Sequence, residues 1–119
     1  MELLYEADAK SVSVAQVVAE LPLPPDPYAA AVALGAGAVQ PTADALITKF
    51  SRADWSIKRL PLLDRIVLRM AVYELTEQPD VPRAVVLDEY VELAKTFSTP
   101  ESGKFVNGML TSIADELGR

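Results

Sequence analysis

The sequence predicts an all-α protein: a compact bundle of about six or seven short helices joined by short loops. Three observations predict it. Apolar residues recur every three or four positions through most of the chain. Prolines fall between those stretches or at their first turns, where a missing backbone N–H costs least. No segment alternates apolar and polar residues as a half-buried strand would.

The first half divides at its prolines and cap residues. Glu2-Leu3-Leu4-Tyr5-Glu6-Ala7 is amphipathic and has no cap residue ahead of it, so the chain opens inside a helix. Ser13-Val14-Ala15-Gln16 has capping-box spacing and starts a short second helix to about Leu21. Pro22, Pro24, Pro25 and Pro27 make a stiff non-helical connection. Asp26-Pro27-Tyr28 launches an alanine-rich helix that runs to Val39 and carries Gly35 and Gly37. Pro41 interrupts the pattern, Thr42 to Phe50 continues as another helix, and a loop is expected around Ser51 to Asp54.

The second half has clearer stripes. Leu60, Leu63, Val67, Met70 and Ala71 lie at helical spacing, with Ile66 and Tyr73 beside them, in a helix from Pro61 to about Glu77. Pro79 and Pro82 bracket a turn. From Arg83 to Phe97, Val86, Tyr90, Leu93, Ala94 and Phe97 form one apolar stripe. Ser98-Thr99-Pro100 breaks the chain, and Phe105, Met109, Ile113 and Leu117 recur every fourth residue on a last helix. The predicted core includes Leu63, Val67, Met70, Val86, Tyr90, Ala94, Met109 and Ile113.

Composition narrows the chemistry. At 119 residues the chain is one domain, large enough to bury a core. It has no cysteine and no histidine, which removes disulfides, thiolate metal sites and the commonest general base. No apolar run approaches the ~20 residues of a bilayer span, and no signal-peptide pattern opens the chain. A cytoplasmic location is compatible with this. The formal charge of −6 argues against strong nonspecific nucleic-acid binding and favours a protein partner. Gly35-Ala36-Gly37 lacks the preceding strand, third glycine and Gly-Lys-Ser/Thr of a phosphate loop.

Three blocks in the second half carry a family resemblance. Leu60 to Leu75, with Asp64 ahead of Leu68-Arg69 and ending Tyr73-Glu74-Leu75, resembles the central motif of the NusB family. Asp80-Val81-Pro82 with Val85 to Lys95 is similar to that family's next helix, and Phe105-Val106-Asn107-Gly108-Met109-Leu110 to its closing signature. Leu3-Leu4-Tyr5-Glu6-Ala7 and Asp44-Ala45-Leu46-Ile47 resemble it more loosely. The resemblance implies an all-helical fold of two small helical subdomains, with no catalysis and no cofactor. It implies a transcription antitermination factor that pairs with NusE, a basic ribosomal protein of the small subunit. Together the two bind boxA, a single-stranded RNA element in ribosomal RNA leaders, within the antitermination complex of RNA polymerase. Family members carry an arginine-rich stretch before the first helix that holds RNA; here Met1 falls inside that helix. One alternative is the NusB-like domain of a ribosomal RNA cytosine methyltransferase, whose catalytic part would follow Arg119. The end of the chain soon after the last stripe favours a standalone protein over this. The other alternative is a helical adaptor that binds protein only.

The resemblance also implies roles for individual residues, each with a plainer alternative. Phe105 would stack on an RNA base and Lys104 meet a phosphate; alternatively Phe105 begins the core stripe. Arg69 would reach the RNA backbone, or pair within its own helix or stay solvated. Asp64, Asp88, Glu89 and Glu92 would form an acidic face for NusE, or an ordinary solvated surface with Glu92 supporting Lys95. Tyr5 would join that partner face, or be core. Asn107 is expected to bond a neighbouring loop, Gly108 to permit close helix packing, and Trp55 to pin its loop onto the bundle.

Overall fold

The computed structural model describes residues 1–51 and 60–119. Among them are seven helices and no strand: α1 Glu2–Lys10, α2 Val14–Ala19, α3 Pro27–Ala38, α4 Gln40–Phe50, α5 Leu62–Glu77, α6 Arg83–Phe97 and α7 Pro100–Glu116. The expected loop at Ser51 to Asp54 and the role of Trp55 lie outside the described residues, apart from Ser51 itself.

Local chemistry sets most of the boundaries. The Ser13 hydroxyl accepts from the Gln16 N–H at 3.1 Å and starts α2. The Gln16 side chain donates to Glu20 instead of returning to the cap, so only half of the capping box forms, and α2 stops at Ala19. Asp26 caps α3 through the Ala29 N–H, with Pro27 in the first turn. Pro41 lies in the first turn of α4, and the chain bends by 66° between α3 and α4. Thr99 caps α7 through the Ser102 N–H at 3.1 Å.

α5 is the axis of the fold. Ile66, Val67, Leu68, Met70, Ala71, Val72 and Leu75 are all buried on it, which leaves it apolar on nearly every side. Such a helix must be enclosed. α1, α3 and α4 cover one side and α6 and α7 the other, while α4 also reaches α7. Val86, Tyr90 and Ala94 of α6 and Val106, Leu110, Ile113 and Ala114 of α7 complete the core. Each fully buried aliphatic side chain contributes roughly 1.5–3 kcal/mol. Gly35 exists for a neighbour: a Cβ there would stand 2.0 Å from the Tyr73 ring, so the glycine leaves the notch the ring occupies. At Gly103 the aliphatic stem of Lys95 lies where a Cβ would go.

The expected core holds with one exception, and the stripes beyond it are less buried, Leu93 and Leu117 being half-buried. Leu63 is only half-buried, because the inward face of α5 at that turn is taken by Asp64. Phe97 is 52% exposed, at the last residue of α6. The buried stripe of α7 starts at Val106, and Phe105 sits beside it, half-buried. No single helix among the described residues is long and apolar enough to cross a membrane.

Candidate functional site

One candidate surface is built where α7 begins. Ser102 Oγ lies 3.0 Å from Asp64 Oδ2, 3.0 Å from Ser98 Oγ and 3.0 Å from Thr99 Oγ1. A carboxylate only accepts, so Ser102 donates to Asp64 and the neighbouring hydroxyls can donate to Ser102. This network fixes the first turn of α7 on α5. The next turn carries Lys104, exposed, and Phe105, packed at the edge of the core. Beside them is a cleft of about 460 Å³ between α4 and α7, lined among the described residues by Phe50, Ser51, Lys104, Phe105, Gly108, Met109 and Ser112. Lys49 stands 5.5 Å above the Phe50 ring and pairs with Glu116. The cleft therefore joins aromatic and apolar walls to the exposed Lys104. Ser51 is held at the mouth by its bond to the Ile47 carbonyl at 2.6 Å.

Gly108 departs from the expected packing role. Among the described residues nothing lies within 4 Å of where its Cβ would be, and the position is exposed. A glycine inside a helix costs about 1 kcal/mol relative to alanine. Here the described part of the fold returns nothing for it. Asn107 is also exposed, on the outer side of α7.

Arg69 has a different partner from either reading of the sequence. It is buried, and its Nε and Nη2 donate to Asp44 Oδ1 and Oδ2 at 2.8 and 3.0 Å. This bidentate pair ties α5 to α4. Its guanidinium is thus committed inside the bundle and is not displayed to a phosphate. Asp44 was legible as part of a family block, but a pairing across 25 residues has no periodic signature.

The acidic residues divide in the same way. Asp88, Glu89 and Glu92 are exposed on α6. Asp64 is not among them, being only 3% exposed under the start of α7. Its place in a partner face is corrected: the Ser102 hydroxyl holds it inside, in the first turn of α5, where the helix dipole favours a negative charge. Lys95 does not support Glu92, because its stem is laid over Gly103. Tyr5 is 50% exposed, one turn from Met1 and Glu2 on α1, so it is surface and not core. Near it, Met1, Glu2, Leu3, Leu23, Asp26, Leu93 and Phe97 line a shallow apolar groove with acidic edges, and Glu89 and Glu92 flank Leu93 in the next hollow.

Beneath this surface sits a buried carboxylate the sequence did not single out. Glu74 Oε1 accepts from Tyr28 Oη at 2.7 Å and from Tyr90 Oη at 2.9 Å. The hydrogen bond to Glu74 pushes the Tyr28 phenol up to about 12. Burial first, then the Glu74 charge, pushes Tyr90 far above its ordinary value. Burial, then the Glu74 charge, raises Glu89 above its ordinary value. The two tyrosines join α3 and α6 to α5, which holds the groove and the acidic face in one piece. Among the described residues no cluster of His, Cys, Asp or Glu could hold a metal ion.

These two surfaces share no residue. The comparisons identify the frame that carries them. A family model described as the NusB family matches residues 2–115. The transcription antitermination protein NusB of Sorangium cellulosum is 42% identical over all of this chain and 89% of its own length. That of Acidothermus cellulolyticus is 37% identical over 95% of this chain and 80% of its own. The solved structure of T. maritima NusB superposes with a TM-score of 0.82 at 36% identity, covering 97% of this chain and 84% of that one. With matching sequence along its length and the same helical frame, the chain belongs to the NusB family, whose curated relatives are transcription antitermination proteins.

Proposed function

We propose that this antitermination factor works as a two-sided adaptor in the bacterial cytoplasm, by binding and not by catalysis. One side holds single-stranded boxA RNA at the α4–α7 cleft, through Lys104 and Phe105. The other holds NusE through the acidic and apolar face of α1, α3 and α6, including Tyr5, Asp88, Glu89 and Glu92. The pair then joins the antitermination complex of RNA polymerase. The observation that carries this is the separation of the surfaces: a cationic, aromatic cleft and an acidic groove on one rigid bundle, with no residue in common. A chain of net charge −6 has little capacity to hold RNA by charge alone. Aromatic stacking beside the exposed Lys104, helped by a basic partner on the acidic side, supports RNA binding despite that charge.

The test is a titration of labelled boxA RNA with this chain, with NusE, and with both. Tighter binding by the pair than by either alone supports the adaptor reading. Tight NusE binding with no gain in RNA affinity would favour a protein-only adaptor.

A further inference from the structure

α5 gives way to α6 through a turn that holds Pro79 and Pro82, and two backbone carbonyls there need donors from elsewhere. In an α-helix the carbonyl of each residue accepts from the N–H four residues on. The Glu74 carbonyl is served in this way, by the Gln78 N–H at 3.0 Å. The Leu75 carbonyl cannot be, because the residue four on is Pro79, which has no N–H. The entry to α6 has the same difficulty. The Val85 N–H, which would serve Val81, is spent on the Pro82 carbonyl at 3.1 Å. Leu75 is only 2% exposed, and a buried carbonyl without a donor costs as much as a lost hydrogen bond.

Arg119 supplies both donors. Its Nη1 donates to the Leu75 carbonyl and its Nη2 to the Val81 carbonyl, so one planar fork bridges the end of α5 and the approach to α6. α5 has no basic residue in its own last turn, and this guanidinium is the cation that the negative end of the helix favours. The Arg119 backbone is itself fixed, its N–H donating to the Ala114 carbonyl of α7 at 2.9 Å. Arg83 crosses the same junction in the other direction. From the first residue of α6 it donates to the Asp115 carboxylate at 2.7 Å and the Thr111 carbonyl at 3.3 Å, both on α7. The turn between α5 and α6 is thus gripped from α7 at both of its ends.

The grip lies at the base of the acidic face. Glu74 immediately precedes Leu75, and it accepts from Tyr28 of α3 and Tyr90 of α6. Among the described residues Arg119 lines neither hollow of that face. We propose that Arg119 is a positioning residue for the basic protein partner: by replacing the donor that Pro79 lacks, it fixes α6 against the end of α5 and so holds the acidic residues of α6 in register with the groove. This rests on the partner reading above and goes beyond it, because it assigns a binding effect to a side chain that lies off the contact surface.

The test combines amide hydrogen exchange with NusE binding, both measured well below the thermal midpoint. Arg119→Ala should speed exchange of the Gln78 and Val81 amides about tenfold and weaken NusE binding about fivefold. Arg119→Lys, a point donor that reaches one carbonyl at a time, should fall between the two. Ile47→Val, a trimmed core residue on α4, should lower the thermal midpoint by a similar amount, about 4 °C, and move neither readout. Equal weakening by Ile47→Val would reduce the effect to general stability and overturn the proposal. Faster exchange with NusE affinity intact, while Phe97→Ala still weakens it, would leave a clasp for the fold alone; the inference then fails and the partner reading stands. If Phe97→Ala and Arg119→Ala both leave NusE binding intact, the partner reading fails and takes the inference with it. Unchanged exchange at Gln78 and Val81 would mean that Arg119 is no clasp, and would sink the idea by itself.

Discussion

The two ends of α5 each bury a carboxylate, and they satisfy it in opposite ways. Asp64 sits in the first turn, Glu74 near the last. At the first turn the helix dipole favours negative charge, and the start of α7 adds a second positive helix end. Asp64 is held there by one hydroxyl, and among the described residues neither its Oδ1 nor the neighbouring Arg65 Nε has a hydrogen-bond partner. At the last turn the dipole opposes a negative charge, and Glu74 is met by two phenols at 2.7 and 2.9 Å. A buried charge at the unfavourable end of a helix thus carries the denser hydrogen bonding. The Glu74 end is a tight brace between three helices under the acidic face. The Asp64 end is a joint of fewer hydrogen bonds between α5 and α7.

The largest expected effect breaks the brace. Glu74→Ala removes the acceptor of two phenols, one of them buried, and should destabilise the fold by about 3 kcal/mol. Chemical denaturation measures it. A loss below about 1 kcal/mol would mean the tyrosines find other partners and the brace is not one. The same network sets a pH response. Tyr28 and Tyr90 hold their protons above the ordinary value of 10.0, Tyr28 up to about 12. Groups raised on folding stabilise fully below their unfolded value, so this contribution is complete below pH 10 and is lost as pH rises through about 12. Tyr28→Phe should flatten that loss. An unchanged alkaline profile in this variant would leave the effect to Tyr90 alone.

Asp64 should matter less. Asp64→Ala loses one hydroxyl partner but also removes an unsatisfied buried oxygen, so the cost should be about 1–2 kcal/mol. A cost equal to that of Glu74→Ala would erase the contrast between the two ends. Asp64→Lys would report folding and not partner affinity, because the side chain faces the interior.

The same contrast marks what was legible in the sequence. Helix number, order and most boundaries followed from prolines, caps and apolar spacing, all of them local signals. Ser13 and Asp26 start the helices their types and positions predict. Val86, Tyr90 and Ile113 are buried as their periodicity requires. What escaped was every pairing between distant segments: Arg69 with Asp44, Glu74 with Tyr28 and Tyr90, Asp64 with Ser102. Charge type suggests a surface, and only the packing shows which charges turn inward. Arg69 and Asp64 were expected outside for that reason. Phe50 was missed as a cleft wall because it ends a helix and belongs to no motif.

The smallest expected effect lies on the acidic face, above the brace. Glu89 and Glu92 are exposed on α6 and flank Leu93, next to the apolar groove that includes Leu23 and Phe97. On such a rim, charge steers encounter more than it holds the complex. Glu92→Lys should therefore slow association with NusE about threefold at low salt and leave dissociation nearly unchanged. The fold should be unaffected, because the side chain makes no ion pair among the described residues. Phe97→Ala at the groove should show the reverse pattern, faster dissociation with little change in the on-rate. Surface plasmon resonance at two salt concentrations separates the two cases. If Glu92→Lys alters neither rate while the fold is intact, NusE does not approach across α6. The two-sided reading would then need its partner surface elsewhere on the bundle.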